Sequence, residues 1–338
     1  MTVVVTGASG HVGANLVRAL LDQGRPVRAL VHQDRRGIEG LDVEIVQGDV
    51  RDLGSLERAF AGAEVVYHCA ARISLQRRDA AQVEACNVGG PRNVVEACLR
   101  AGVRRLVHFS SVHAYQQQPL DEPLDESRAQ VDSPRAAPYD RTKAAGEREV
   151  RQGIARGLDA IILNPSAVIG PHDYGPSHVG QVLLALTHRK LPALMAGGFD
   201  WVDVRDVVAG ALRAEQRAET GARYLLSGHY IPVRELAATV TELTGVPAPR
   251  LVCPTWLAAS AAPFAVAWGR LRGERPLFTP LSVLALQEGS RSISHARATQ
   301  DLAYDPRPFR ETIADTLDWF QSAGMLRSNG HRRSEEAL

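Results

Sequence analysis

A tyrosine and a lysine lie four residues apart at the start of a helical pattern, at Tyr139 and Lys143. Side chains with this spacing share one face of an α-helix. A free phenol ionises at about pH 10, and an ammonium group beside it favours the phenolate. The pair is therefore predicted to act as an acid/base group, with Tyr139 donating a proton to a carbonyl oxygen or removing one in the reverse direction.

Two serines, Ser110 and Ser111, end the apolar run 105–109. Side chains at the carboxyl end of a parallel strand face the crevice where ligands of such sheets bind, so a hydroxyl here could orient a substrate oxygen. No G-x-S-x-G turn surrounds either serine, which argues against a nucleophilic serine. The 11 histidines are dispersed without H-x-x-x-H or H-E-x-x-H spacing, and no metal site is predicted.

A glycine-rich loop follows the first apolar strand and precedes an amphipathic helix. Gly7 allows a tight turn, Gly10 lets backbone amides approach a phosphate, and Gly13 permits close packing of the helix. The helix N-terminus adds positive potential, so the loop is predicted to bind a dinucleotide pyrophosphate. The residues predicted to line this phosphate site are Gly7, Ser9, Gly10, His11, Val12 and Gly13.

The first half of the chain alternates short β-branched runs with longer helical patterns. Strands are predicted near 2–6, 26–31, 43–46, 65–68, 105–110 and 160–164, with another at 222–226. Helices are predicted over 11–23, 55–60, 88–101 and 139–155, the last with Glu147, Arg148 and Glu149 on its solvent side. This alternation predicts the α/β class, with a doubly wound parallel sheet of the Rossmann type and a smaller, discontinuous C-terminal substrate domain.

The change of rhythm after Gly170 predicts the domain boundaries. The dinucleotide-binding domain is assigned to 1–165 plus 199–228, and the substrate-binding domain to 166–198 plus 229–326. The polar tail 327–338 is predicted to be disordered.

These motifs, in this order, resemble the extended short-chain dehydrogenase/reductase family. The resemblance implies that Ser111 is the catalytic serine, with Ser110 lining the cofactor, although a slip of one residue would exchange these roles. It also implies that Tyr139 and Lys143 contact the cofactor, with Lys143 holding its ribose hydroxyls. Further cofactor contacts are implied for Asp49, Val50, Cys69, Ala70, Ala71, Asn87, Asn164, Pro165 and Ser166.

The end of the second strand indicates which nicotinamide cofactor is used. An acidic residue there would bind the ribose 2′-hydroxyl of NAD, but Val31 occupies the usual position. His32, Arg35 and Arg36 follow and suit a 2′-phosphate, so NADP is favoured over NAD. Asp34 acts against this preference, and both arginines could equally be ordinary surface residues.

Within the family, the likeness is greatest to the dihydroflavonol-reductase-like branch, through 27–31, 164–166 and 273–276. It implies hydride transfer between the nicotinamide and a carbonyl or alcohol of a fairly apolar small molecule. The alternatives are a nucleotide-sugar or sugar epimerase with tightly bound NAD, and a non-catalytic dinucleotide-binding protein. An epimerase commonly has an arginine that clamps a substrate phosphate, where this chain has Phe199-Asp200-Trp201.

Four residues are predicted to contact the substrate: Ile73, His113, Tyr174 and Trp201. His113 could equally be a satisfied polar residue, and Trp201 could equally belong to the core.

The formal net charge of +1 excludes a strong basic field for nucleic acid or an anionic membrane. The four cysteines form no C-x-x-C pair, and the first strand begins at Thr2 without room for a signal sequence. A cytoplasmic protein with a small-molecule partner is therefore expected. The resemblance implies a homodimer paired through helices such as 88–101 and 139–155.

Overall fold

The computed structural model describes residues 2–73, 79–254 and 289–326. The predicted tail 327–338, the segment 273–276 and the residues 74–78 that follow Ile73 lie outside this range. None of the described helices is long and apolar enough to cross a membrane.

A seven-stranded, all-parallel sheet forms the centre of the fold, in the order β10-β6-β5-β4-β1-β2-β3. Its strands are β1 (Thr2–Thr6), β2 (Val27–Val31), β3 (Glu44–Gln47), β4 (Ala63–His68), β5 (Arg105–Phe109), β6 (Ala160–Pro165) and β10 (Arg223–Leu226). The inner strands are buried along most of their length because helices cover both faces of the sheet. The predicted fold class is confirmed, and each predicted strand is present within two residues of its expected bounds.

Ten α-helices are described. They are α1 (His11–Asp22), α2 (Leu53–Phe60), α3 (Ala80–Glu84), α4 (Gly90–Ala101), α5 (Pro138–Ala155), α6 (His178–Thr187), α7 (Val204–Arg217), α8 (Val233–Thr244), α9 (Ala296–Leu302) and α10 (Phe309–Ser322). A π-helical turn, Ala85–Gly89, joins α3 to α4. The four predicted helices of the first half are all present.

The two faces of the sheet bury separate apolar clusters. Leu16 and Leu20 of α1 pack with Val208 and Ala211 of α7 on one face. Helices α2, α4 and α5 cover the other face, where Phe60, Val94 and Val150 are buried. Each such side chain contributes about 1.5–3 kcal/mol when it is fully removed from water.

Smaller elements follow the sixth strand. A three-stranded sheet contains β7 (Ala167–Ile169), β9 (Gly198–Asp203) and β11 (His229–Pro232), and β8 (Leu194–Met195) pairs with β12 (Val252–Cys253). Helices α6, α8 and α10 share an apolar cluster with them, which includes Leu183, Leu236 and Phe320. The division into two domains at the boundaries given above stays a prediction.

Candidate functional site

The functional side chains predicted from sequence follow strands that lie side by side. The glycine loop follows β1, residues 69–71 follow β4, Ser110 and Ser111 follow β5, and Ser166 follows β6. Since all four strands are parallel, these segments meet at the same carboxyl edge of the sheet.

The glycine loop is packed too tightly for side chains at two positions. Gly7 has a φ of +67°, and a Cβ there would lie 2.7 Å from the backbone nitrogen of Ala70. A Cβ on Gly13 would lie 2.1 Å from the carbonyl oxygen of Gly7. The loop therefore adopts the compact form that the phosphate-site prediction requires.

The first turn of α1 is uncapped. Gly10 precedes the helix and provides no side-chain cap, so the first amides, those of His11, Val12 and Gly13, can donate to an anion. The backbone of Ser9 packs against Gly37, at which a Cβ would lie 2.5 Å from the Ser9 carbonyl oxygen. These features fit a pyrophosphate group.

The side chain of His11 has a different role from its backbone. Its Nε2 lies 3.2 Å from the carbonyl oxygen of Gly170 and 3.0 Å from that of Pro171. Asn15 Nδ2 donates to the same Pro171 oxygen over 2.9 Å. The imidazole thus ties α1 to the segment after β7.

The side chains of Tyr139 and Ser111 are brought together, and the Ser111 hydroxyl lies close enough to the phenol to lower its pKa. The backbone N–H of His113 donates to Ser111 Oγ over 3.2 Å. Burial raises the pKa of Tyr139 to about 12, although the nearby Ser111 hydroxyl acts to lower it. The expected lowering of this pKa by Lys143 is not found, so the phenol is protonated at neutral pH.

Lys143 lies one helical turn after Tyr139 on α5, and its side chain is buried, with 5% of the residue exposed. Its Nζ donates to the carbonyl oxygen of Phe109 over 3.0 Å and lies 6.0 Å from the centre of the Tyr139 ring. Burial lowers the pKa of Lys143 to about 8, although the charge of Glu147 acts in the opposite direction. Its ammonium form is therefore lost as the pH rises through about 8.

Replacing the buried ammonium in Lys143→Met should stabilise the fold, although it removes the group that is proposed to bind the cofactor. The lowering of the Lys143 pKa from 10.5 to about 8 corresponds to a cost of up to about 3 kcal/mol for burying the ammonium below pH 8. The variant avoids this cost, but it also loses the hydrogen bond to Phe109, which cancels part of the gain. We expect the variant to be more stable than the parent by about 1–2 kcal/mol at pH 7 in urea unfolding.

The sign of the pH dependence provides the check on that variant. Between about pH 8 and 10.5 the unfolded parent binds more protons at this lysine than the folded parent does, so parent stability rises with pH in that window. The advantage of Lys143→Met should therefore shrink at pH 9.5, and an advantage that grows there would contradict the assigned burial cost.

The polar side chains after β5 and at the end of β6 differ in whether they already have hydrogen-bond partners. The hydroxyl of Ser110 is buried and has no hydrogen-bond partner among the described residues, so it can serve a ligand. Asn164 Nδ2 donates instead to the backbone oxygen of Ser111 and to Glu147, over 2.9 and 2.6 Å. The hydroxyl of Ser166, next to Pro165, is likewise buried and has no hydrogen-bond partner among the described residues.

The turn after β4 is held by hydrogen bonds to the end of β1 and to the π-helical turn before α4. Cys69 N donates to the oxygen of Thr6 over 3.1 Å, and the pKa of its thiol is raised by burial. Ala70 packs on Gly7, and Ala71 is exposed beside it. The Asn87 side chain both accepts from and donates to the backbone of Arg72, so this residue holds the turn in place.

Asp49, Val50 and His32, which are predicted to contact the cofactor, already have contacts within the protein. Asp49 binds Arg51 through both carboxylate oxygens and lies 3.3 Å from His32 Nε2. Sequence reasoning missed Arg51, for which the i, i+2 spacing from Asp49 was the only signal. Val50 is buried against Gly90, and its carbonyl accepts from Asn93.

The two arginines after β2 differ. Arg36 makes a bidentate ion pair with Asp34, at 2.6 Å for the shortest contact. Arg35 is exposed, and its side chain contacts none of the charged groups that the structure describes. Of the two, Arg35 is thus the guanidinium that is free for a phosphate.

The four predicted substrate residues lie in different settings. His113 is next to Tyr139, with ring centres 5.8 Å apart, and its Nδ1 lies 3.3 Å from Asp140. Ile73 is 72% exposed. Tyr174 accepts from Arg18 over 2.8 Å and packs against the ring of Trp319.

The structure corrects two sequence interpretations. Trp201 is only 4% exposed, and its indole donates to the oxygen of Ile231, so it is a core residue rather than a substrate contact. Glu147 is fully buried rather than on the solvent side of α5. The signal for Glu147 was its position four residues after Lys143, on the same helix face.

A parallel Rossmann sheet with a glycine-rich loop and a serine, tyrosine and lysine at its carboxyl edge is the arrangement of a dinucleotide-dependent oxidoreductase. Residues 3–226 match the NAD dependent epimerase/dehydratase family, and the chain belongs to this family. It is thus an NAD(P)-dependent enzyme of the extended short-chain dehydrogenase/reductase type.

Similar proteins cover nearly the whole chain. Sterol demethylase protein B of Methylococcus capsulatus is 39% identical over 330 residues, 96% of this chain and all of that protein. A putative dihydroflavonol 4-reductase of Synechocystis is 34% identical over 334 residues, 96% of each chain. The solved structure of gox2253 is 32% identical, covers 96% of this chain and 99% of its own, and superposes with a TM-score of 0.83.

Proposed function

We propose that this protein is a reductase that transfers hydride between NADP and a carbonyl or alcohol carbon of a fairly apolar small molecule. The observation that carries the proposal is that the Ser111 hydroxyl lies close enough to the phenol of Tyr139 to lower its pKa, one helical turn from the buried amine of Lys143.

The protonation states suit the direction of carbonyl reduction. A bound nicotinamide would supply the hydride to the carbonyl carbon. Tyr139 is protonated at neutral pH and can give its proton to the carbonyl oxygen, while Ser111 hydrogen-bonds that oxygen. Lys143 would hold the ribose hydroxyls of the cofactor through its ammonium group, which also donates to the carbonyl oxygen of Phe109.

Two relatives support a substrate with a large apolar body. Their names refer to sterol demethylation and to dihydroflavonol reduction, both of which concern polycyclic molecules. The test is oxidation of NADPH by the purified protein with a panel of cyclic and aromatic ketones and aldehydes. Lack of turnover with the whole panel would count against the proposal.

An epimerase is the second candidate, because a UDP-glucose 4-epimerase from Thermus thermophilus, solved with NAD, is 26% identical with a TM-score of 0.76. The segment Phe199-Asp200-Trp201 weighs against it. Trp201 is in the core and Asp200 accepts from the N–H of Gly228, and neither an indole nor a carboxylate can replace the phosphate-clamping arginine. Stoichiometry separates the two candidates, since a reductase consumes reduced cofactor and an epimerase regenerates it in each cycle.

The free guanidinium of Arg35 predicts its effect on cofactor choice. If Arg35 binds the 2′-phosphate, Arg35→Ala should weaken NADPH binding about tenfold, because one charge-assisted hydrogen bond is worth about 1.5–3 kcal/mol. NADH binding should change less than twofold, since NADH lacks that phosphate. Titration of cofactor fluorescence measures both.

Arg234→Ala provides the matched control, because Arg234 is another exposed arginine, on α8. It should leave both affinities unchanged. Equal losses for NADPH and NADH in Arg35→Ala would rule out recognition of the 2′-phosphate by this residue.

A further inference from the structure

Glu147 is a carboxylate with no exposed surface, one helical turn beyond Lys143 on α5. Burying a charged carboxylate is costly unless hydrogen bonds and an opposite charge compensate for it. The contacts of Glu147 show both kinds of compensation, and they lead directly to the residues of the proposed site.

Hydrogen bonds connect Glu147 to the catalytic serine. Its Oε1 accepts from Asn164 Nδ2 over 2.6 Å, and the same nitrogen donates to the backbone oxygen of Ser111 over 2.9 Å. Its Oε2 accepts from Gln130 Nε2, and Gln130 in turn accepts from Arg151. The carboxylate thus joins α5 to the end of β5, to β6 and to the segment before α5.

The charge of Glu147 also acts on Lys143. It is the foremost of the groups that favour the ammonium form of this buried lysine. The neighbouring histidines His68 and His108 are buried and uncharged at neutral pH, with the pKa of His68 lowered to about 3. The other titratable groups around the two residues are Cys69, Cys86, Tyr115, Glu126, Tyr139, Arg151 and Arg223.

We propose that Glu147 is a positioning residue of the reductase site: it holds Ser111 in place through Asn164 and balances the buried ammonium of Lys143. This inference rests on the proposed function. Two separate consequences follow, one for turnover through Ser111 and one for the pH range in which Lys143 binds cofactor.

The experiment compares Glu147→Gln with Glu147→Asp. Glutamine keeps the shape of the side chain but removes its charge, so NADPH affinity should be lost at a pH about one unit lower than in the parent. Aspartate keeps the charge but withdraws it from Asn164, so it should lower kcat about tenfold and leave the pH of affinity loss unchanged. Both are measured between pH 6 and 10, by fluorescence titration and by steady-state kinetics.

The outcomes test the two roles of Glu147 separately. An unshifted pH dependence of NADPH affinity in Glu147→Gln overturns the role toward Lys143, and a parental kcat in Glu147→Asp overturns the role toward Ser111. If Glu147→Gln does not fold, Gln130→Leu replaces it in the comparison, since it removes one hydrogen bond but leaves the charge. Gln130→Leu should lose NADPH affinity at the same pH as the parent, and a shift of that pH would contradict the role of the charge.

The affinity measurement needs no carbonyl substrate. If the parent protein turns over no ketone or aldehyde, the proposed function fails, while the pH dependence of NADPH binding still decides whether Glu147 acts on Lys143.

Discussion

Tyr139→Phe should lower kcat/KM for carbonyl reduction at least about 10³-fold, on the order of 4 kcal/mol in the activation free energy. The variant loses one hydroxyl, and with it the proton that the substrate oxygen must receive. Because the pKa of Tyr139 is raised to about 12, this proton is present throughout the neutral range. NADPH affinity should stay within about twofold of the parent, since Lys143 and the glycine loop are unchanged.

Tyr230→Phe is the control for that variant. Tyr230 lies on β11, and its hydroxyl has no hydrogen-bond partner among the residues described. Its removal should leave turnover unchanged. Substantial turnover in Tyr139→Phe would refute the role of the phenol, whereas a parallel loss of NADPH binding would show that the substitution disturbs the cofactor site instead.

Gly13→Ala should strongly weaken dinucleotide binding and destabilise the fold. The added Cβ would lie 2.1 Å from the carbonyl oxygen of Gly7 and 2.8 Å from Ala8 Cα, both of which are backbone atoms. Relief requires the loop to move away from α1, which removes the amides from the phosphate position. We expect at least about 100-fold weaker NADPH binding, or about 2.7 kcal/mol, and a similar loss of unfolding free energy.

Gly89→Ala is a suitable comparison, because a Cβ at Gly89 would meet no atom within 4 Å and the residue has a helical backbone. It should be neutral or slightly stabilising, by about 0.5–1 kcal/mol at most. Fluorescence titration and urea unfolding of both variants provide the measurement. Parental NADPH affinity in Gly13→Ala would mean that the loop is not the phosphate site.

The raised pKa of Tyr139 changes which group is expected to limit activity at alkaline pH. The sequence suggested a phenol activated by its neighbouring ammonium, but Lys143 donates to Phe109 and its own pKa is lowered to about 8. We therefore expect an alkaline limit set by Lys143 rather than by Tyr139. The two residues share a helix face as predicted, and burial rather than spacing determines their protonation.

Local pattern was sufficient for the fold and for the order of the motifs. Apolar runs such as Thr2–Thr6, followed by a glycine loop and an amphipathic helix, specify strand, turn and helix through contacts between near neighbours. Parallel strands then bring their carboxyl ends to one edge, which is why Ser111 and Tyr139 could be predicted to meet. The homodimer and the substrate remain predictions from family resemblance.

Only the tertiary structure decided which charges are buried and which are already paired. The burial of Glu147 depends on Asn164 and Gln130, 17 residues away in each direction, and the core position of Trp201 depends on Ile231. Likewise, Asp34 pairs with Arg36 and leaves Arg35 free, a choice that neighbouring sequence leaves open. Periodicity reports which face of an element is apolar, whereas the pKa and the partners of a polar group depend on atoms that other segments place around it.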